Sequence, residues 1–235
     1  MAADWKRYKI WDQWRAVSRT FGCLILAMER EAQATQKRPI EKQELSLVSG
    51  NSTFAVTAEE YISTLRNTGT LCGMVLQASL GLIEEHARDI LCELNQVGVN
   101  INDLLEAGRT TIEERIEHYP PSNGIEDWGT KLLTKVGRQW SDVKPGLRGI
   151  VEVAVVRNAL AHGSPIVSQR MLNRLSNVNG KLPWRCGDTI ELNYDKVRLY
   201  RDRLRSFARV LADATSAILN EKTVSPPRQK SKRKN

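Results

Sequence analysis

The chain has 235 residues, 41% apolar and 26% charged, which is enough to bury one full core and too little for more than one domain with appendages or two small ones. Aromatic residues are only 6% and runs of β-branched residues are few, so the composition favours helix. The net charge of +8 is concentrated at one end: Lys222, Arg228, Lys230, Lys232, Arg233 and Lys234 face no acidic residue between 222 and 235, and removing those six leaves a body near +2, which excludes a folded basic platform.

In chain order, residues 4–37 read as one amphipathic helix, with Trp11, Trp14, Val17, Phe21, Leu24, Ile25 and Met28 at helical spacing and Pro39 stopping the run. An N-terminal unit is therefore expected over 1–38. Residues 39–57 are polar, with Ser, Gly and Asn clustered, and read as a linker with at most a short strand in it. From Thr57 to Gly98 runs the longest periodic segment. Thr57 and Glu60 have capping-box spacing, Gly98 is a C-cap, and small residues (Gly69, Gly73, Ala78, Ser79, Gly81) leave room for a second helix.

A shorter polar helix is expected over Asn102–His118, broken near Gly108, before the loop "YPPSNG". Asp127 is read as the cap of the next helix, in which Trp128, Leu132, Val136 and Trp140 repeat every four residues. Leu147–Ala161 is apolar nearly all round in its middle, "IVEVAVV", which predicts a buried central helix. A polar helix-like stretch follows Pro165. A small β element is expected near 182–193, where Gly187-Asp188 turns and "TIELN" alternates, and a final helix over Asp195–Asn220. The tail 221–235, rich in Pro and Lys, predicts disorder, and Arg228, Lys230, Lys232, Arg233 and Lys234 would hold RNA through salt-sensitive contacts or simply form a solvated end.

No stretch approaches the ~20 apolar residues of a membrane span, and the polar run before "FGCLILAM" does not fit a signal peptide. A cytoplasmic protein with no membrane partner is expected. Cys23, Cys72, Cys92 and Cys186 form no CxxC pair, and His86 and His118 have no HExxH context, so the expectation is reduced, mostly buried thiols, no metal site and no cofactor. Six tryptophans read mainly as core, with Trp5, Trp11 and Trp14 as the ones that a protein partner would use.

The chemistry concentrates in "VVRNALAHGSP", residues 155–165. Gly163 and Pro165 end the helix at about His162, where the negative end of the helix dipole favours the imidazolium. Asn158 is four residues before His162 and shares its face; Arg157 is five before, about 140° away on an ideal helix, but long enough to reach the same side. Arginine grips phosphate oxygens and histidine moves protons near neutrality, so the three make a phosphate-handling set that demands no metal. An Arg-x4-His arises by chance in a chain of this size about a quarter of the time, and Asn directly after the Arg lowers that to roughly one per cent. The plainer alternative is a helix-terminal histidine that complements the dipole.

The R-N-x-x-x-H signature at the end of an apolar helix resembles the Rx4-6H motif of the HEPN (higher eukaryotes and prokaryotes nucleotide-binding) superfamily. "LQASLGLIEEHARDILCEL" is similar to its first core helix, with Glu84 or Glu85 as the acidic residue near the middle, and "IELNYDKVRLYRDRLRSFARVL" to its last. The resemblance covers roughly residues 58–220, and only the motif is specific. It implies an all-α, HEPN-like helical bundle acting as a metal-independent endoribonuclease in a toxin–antitoxin pair, phage defence or RNA processing, with RNA as substrate and an antitoxin or other protein as further partner. His162 would be the general acid/base, Arg157 would stabilise the phosphorane-like charge, and Asn158 would orient the two. Because in-line cleavage needs an acid and a base and the motif offers one histidine, a homodimer is expected. The alternatives are a non-catalytic HEPN-like RNA-binding or dimeric adaptor module, and a purely structural helical interaction protein.

Overall fold

The computed structural model describes residues 5–37, 44–49, 52–107, 111–121, 123–161 and 165–224. Most of this is helix, with one small two-stranded antiparallel sheet, so the chain is an all-α protein with a minor hairpin. A 3-10 turn at Trp5–Arg7 precedes α1 (Ile10–Gln36). Strands β1 (Glu44–Ser49) and β2 (Ser52–Thr57) follow, then α2 (Ala58–Arg66), α3 (Gly69–Gln96), α4 (Ile112–Glu117), α5 (Ile125–Lys135), α6 (Leu147–Ala161), α7 (Gln169–Ser176) and α8 (Tyr194–Val224).

The hairpin lies in the stretch read as a linker. Leu45 pairs with Val56 and Leu47 with Phe54. Two six-residue runs that alternate around Gly50-Asn51 are a hairpin signal that their polar composition obscured. Near 182–193, in contrast, the β structure is a single bridge between Ile166 and Thr189. The "TIELN" run buries Ile190 and Leu192 as extended chain leading into α8.

Thr57 and Glu60 do form a capping box, but it caps only α2, because the chain breaks at Asn67 and Thr68 before α3 begins. Gly98 has φ +74°, the left-handed conformation expected after a helix end. Asn102–His118 holds a 3-10 turn at Asn102–Leu104 and then α4, which Thr111 and Glu114 cap; the break expected at Gly108 lies outside the described residues. Asp127 is not a cap. Gly124 precedes α5, and Asp127 sits in its first turn, holding Lys131 at 2.8 Å. Of the four thiols, all free, only Cys72 is buried; Cys23, Cys92 and Cys186 are exposed, so the expectation of mostly buried cysteines fails.

The core is built where long stripes meet. Along α3, Cys72, Leu76, Leu80, Ile83, Ala87, Ile90, Leu91 and Leu94 are buried, against Leu204, Phe207, Ala208 and Leu211 of α8. Helix α6 has no polar side to show: Ile150, Val151, Val153, Ala154, Val155 and Val156 are all buried, some in the main core and some against Leu175 of α7. The exception in its middle is Glu152, which accepts from the Tyr200 hydroxyl at 2.9 Å and from Arg203 Nη1 at 2.6 Å. Burial and the Glu152 carboxylate push the Tyr200 phenol up, so it remains a donor. Trp11 and Trp14 of α1 belong to the same core. Among the described residues no helix is long and apolar enough to cross a membrane.

His86 is 1% exposed. Its Nε2 donates to the Ala208 carbonyl at 3.3 Å, and Tyr8 meets the ring edge-on at 5.0 Å. Burial lowers its pKa from 6.5 to about 4. The folded chain therefore binds fewer protons than the unfolded chain between those values, so this contribution is fully present above pH 6.5 and is lost as pH falls towards 4. In denaturant titrations from pH 7 to 4, His86→Gln, which keeps a donor and cannot titrate, is expected to lose on the order of 3 kcal/mol less stability than wild type. Parallel pH profiles for the two proteins would contradict this assignment.

Candidate functional site

After an exposed Arg148 in its first turn, helix α6 is buried from Gly149 to Val156 apart from half-buried Glu152, and in its last turn Arg157, Asn158, Ala159 and Leu160 become half-exposed. An apolar helix enclosed by neighbours can present polar groups only where it emerges, and it emerges at Arg157 and Asn158. Arg157 Nη1 donates to Asn158 Oδ1 at 3.1 Å. Arg157 makes no ion pair, and its buried Nε has no hydrogen-bond partner, among the described residues. A half-buried guanidinium without a carboxylate is a binding group in waiting.

The two residues line a cleft of about 430 Å³ together with Glu84 and Arg88 of α3, His118 after α4, and Arg174 of α7. The segment Tyr119–Pro121 forms one wall. Arg88 reaches that wall, donating from Nη1 to the Tyr119 carbonyl at 2.7 Å. His118 Nδ1 lies 2.9 Å from the Glu114 carbonyl. A carbonyl only accepts, so Nδ1 carries the proton and a neutral His118 offers Nε2 as a lone pair. Asn158 and Arg174 also line an adjoining cavity of about 550 Å³, so Asn158 stands between the two.

The charges in the cleft are mixed. Arg174 is spent on Glu126 in a bidentate pair, 2.7 Å from Nε and 2.6 Å from Nη2. Glu84 and Glu117 balance part of the rest. The cleft is thus no broad cationic surface, and its free gripping groups are Arg157 and the remaining donors of Arg88. Of the two acidic residues offered by the sequence in α3, Glu84 faces the cleft. Glu85 instead holds Lys9 at 2.8 Å and Gln13 at 3.4 Å, and the Lys9 ammonium lowers its pKa.

Arg157 and Asn158 are therefore brought together. His162, which follows Ala161 in the chain, lies outside the described residues, as do Arg228, Lys230, Lys232, Arg233 and Lys234. Sequence reasoning missed His118, Arg88 and Arg174. His118 was set aside for lacking a metal-binding context, although a rare histidine placed between a capped helix and a double proline was a usable signal. The arginines gave none, since only the packing of α3 and α7 beside α6 brings them in. Trp11 and Trp14 are buried and do not form an outer partner surface, while the Trp5 side chain lies outside the described residues. Among the described residues, no three His, Cys, Asp or Glu side chains converge as metal ligands. Comparison with protein-family models, curated proteins and solved structures found no match to this chain.

Gly124 shapes the cleft. Its φ is +90°, and a Cβ there would lie 2.8 Å from a Glu126 carboxylate oxygen and 2.9 Å from Arg174 Nη2. Gly124→Ala is expected to cost about 1–3 kcal/mol, read as a fall of roughly 3–9 °C in thermal midpoint. Gly81→Ala, in mid-helix with open space around it, is expected to leave the midpoint unchanged or raise it. Equal effects at the two glycines would contradict this.

Proposed function

We propose that the chain is a metal-independent endoribonuclease of HEPN type, acting through Arg157, Asn158 and His162. The observation that supports this most is Arg157: a guanidinium without a carboxylate partner among the described residues, tied to Asn158, at the end of a buried helix and on a cleft that also holds a histidine. The reaction needs a base to take the proton from an RNA 2′-OH. The 2′-oxygen then bonds to the adjacent phosphorus, the bond from phosphorus to the 5′-oxygen breaks, and an acid protonates that leaving oxygen. The products are a 2′,3′-cyclic phosphate and a 5′-OH. Arg157 meets the negative charge that grows on the phosphorus oxygens, and Asn158 orients the guanidinium.

Two proton carriers are required, and there are two sources for the second. One is His162 of a second copy in a homodimer. The other is His118 of the same chain, favoured by its place on the Arg157 cleft with Nε2 available. The basic residues Arg228, Lys230, Lys232, Arg233 and Lys234 supply a salt-sensitive grip on the RNA backbone. A cytoplasmic setting, and a role in a toxin–antitoxin pair, phage defence or RNA processing, follow from the same reading. In the rival reading, a non-catalytic RNA-binding or adaptor module, Arg157 holds phosphate without any proton transfer.

Incubation of the purified protein with RNA in EDTA decides between them. Wild type is expected to cut. Arg157→Ala and His162→Ala are each expected to lose about 10²-fold or more in rate, and Asn158→Ala less. His118→Ala is expected to lose a comparable factor if it is the second proton carrier, and to cut normally if a partner's His162 is. RNA binding without products in wild type, or undiminished cutting by His162→Ala, would overturn the nuclease reading.

A further inference from the structure

On the side of α8 that faces α1, a second group of arginines makes no ion pair among the described residues. Along α8, Tyr194, Arg198, Arg201 and Arg205 recur at the spacing of one helix face. That stripe faces α1, where a packed helix would carry leucines. Between the two helices lies a groove of about 330 Å³, floored by Trp14 and Phe21 and sharing no residue with the Arg157 cleft.

Arg201 sits in this groove only 6% exposed. Its guanidinium lies over the Trp14 ring at 4.7 Å, and Nη2 donates to the Trp14 carbonyl at 3.2 Å and to Ser18 Oγ at 3.0 Å. Its buried Nε has no partner, and no ion pair reaches Arg201 among the described residues. Taking a cation out of water is unfavourable unless a counter-charge pairs with it. Burial accordingly lowers the Arg201 pKa. Arg198 and Arg205, one turn to either side, are exposed and also make no ion pair among the described residues. Of the remaining charges on the groove, Arg15 is paired with Asp12, and Asp202, which makes no ion pair with Arg201, offsets part of the cost of its burial.

The aromatic side of the groove selects among anions. Tyr194 is 41% exposed and stacks on Phe21 with centroids 5.2 Å apart, which leaves ring surface for another planar group. Arginines next to an exposed aromatic ring are the pairing by which proteins hold a phosphate and stack its base. The volume is near the lower end of ligand pockets and suits one nucleotide. We infer that the groove between α1 and the first turns of α8 binds a nucleotide, with its phosphate on Arg198, Arg201 and Arg205 and its base on Tyr194. The inference is independent of the nuclease reading. The nucleotide is either free or one unit of a single-stranded RNA, and the two share this chemistry.

Titration followed by tryptophan fluorescence and by calorimetry tests it, using AMP, UMP, adenosine, inorganic phosphate and a tetrauridylate without terminal phosphates. At least one mononucleotide or the tetrauridylate is expected to bind, at least tenfold more tightly than adenosine or phosphate alone. Preference for mononucleotide marks a free ligand, and preference for tetrauridylate marks an RNA strand. The exposed double variant Arg198→Ala/Arg205→Ala is expected to weaken binding at least tenfold. Tyr194→Ala is expected to weaken it about 5- to 100-fold, and both losses are expected to appear equally in an Arg157→Ala background. No binding by any nucleotide at millimolar concentration, equal binding of phosphate or adenosine, unchanged affinity in the double variant, or loss confined to Arg157→Ala would each overturn the inference.

Discussion

The burial of α6 is the constraint on which the rest of the molecule depends. A helix that is apolar on every side has to be surrounded, and α3, α5, α7 and α8 are arranged to do so. The single carboxylate in its middle, Glu152, is tolerable because Tyr200 and Arg203 of α8 arrive to satisfy it. With its middle committed to packing, α6 meets solvent at its ends, at Arg148 and at its C-terminal turn. The same enclosure brings Arg88, His118 and Arg174 from three other segments to the place where Arg157 and Asn158 emerge.

Much of this was legible in the residues. The extent of α6 follows from the apolar run "IVEVAVV", and the capping box at Thr57 and Glu60 forms as its spacing predicts. The break at Asn67 and Thr68 was not legible, because the apolar stripe continues across it. Neither was the hairpin at 44–57, whose polar composition hides an alternation around Gly50-Asn51. At the site, Arg157 and Asn158 could be found because they are adjacent in the chain. His118 could not be tied to them, since about 40 residues intervene, all of α5 among them, and only the fold closes that distance.

Two groups of arginine thus stand apart in the structure for one electrostatic reason. Some half-buried cations here are answered by carboxylates, as Arg174 is by Glu126 and Arg203 by Glu152. Arg157 and Arg201 are not, and both retain a buried Nε with no partner among the described residues. Leaving a cation uncompensated destabilises a fold, so such positions are places where a ligand anion gains most. The cleft at Arg157 adds a histidine and is suited to chemistry. The groove at Arg201 adds aromatic surface and, among the described residues, no histidine, and is suited to holding.

The claim at the centre is that the α6 cleft positions an RNA phosphate for attack by its own 2′-oxygen. The most direct measurement uses two oligonucleotides that differ by one atom: an RNA cut by the protein, and the same strand with a 2′-deoxy residue on the 5′ side of the cut bond, both in EDTA. The account predicts that the all-ribose strand is cleaved to a 2′,3′-cyclic phosphate and a 5′-OH, and that the bond after the deoxy residue stays intact. Cleavage of that bond in the deoxy strand, or a linear phosphate as the first product, would contradict it.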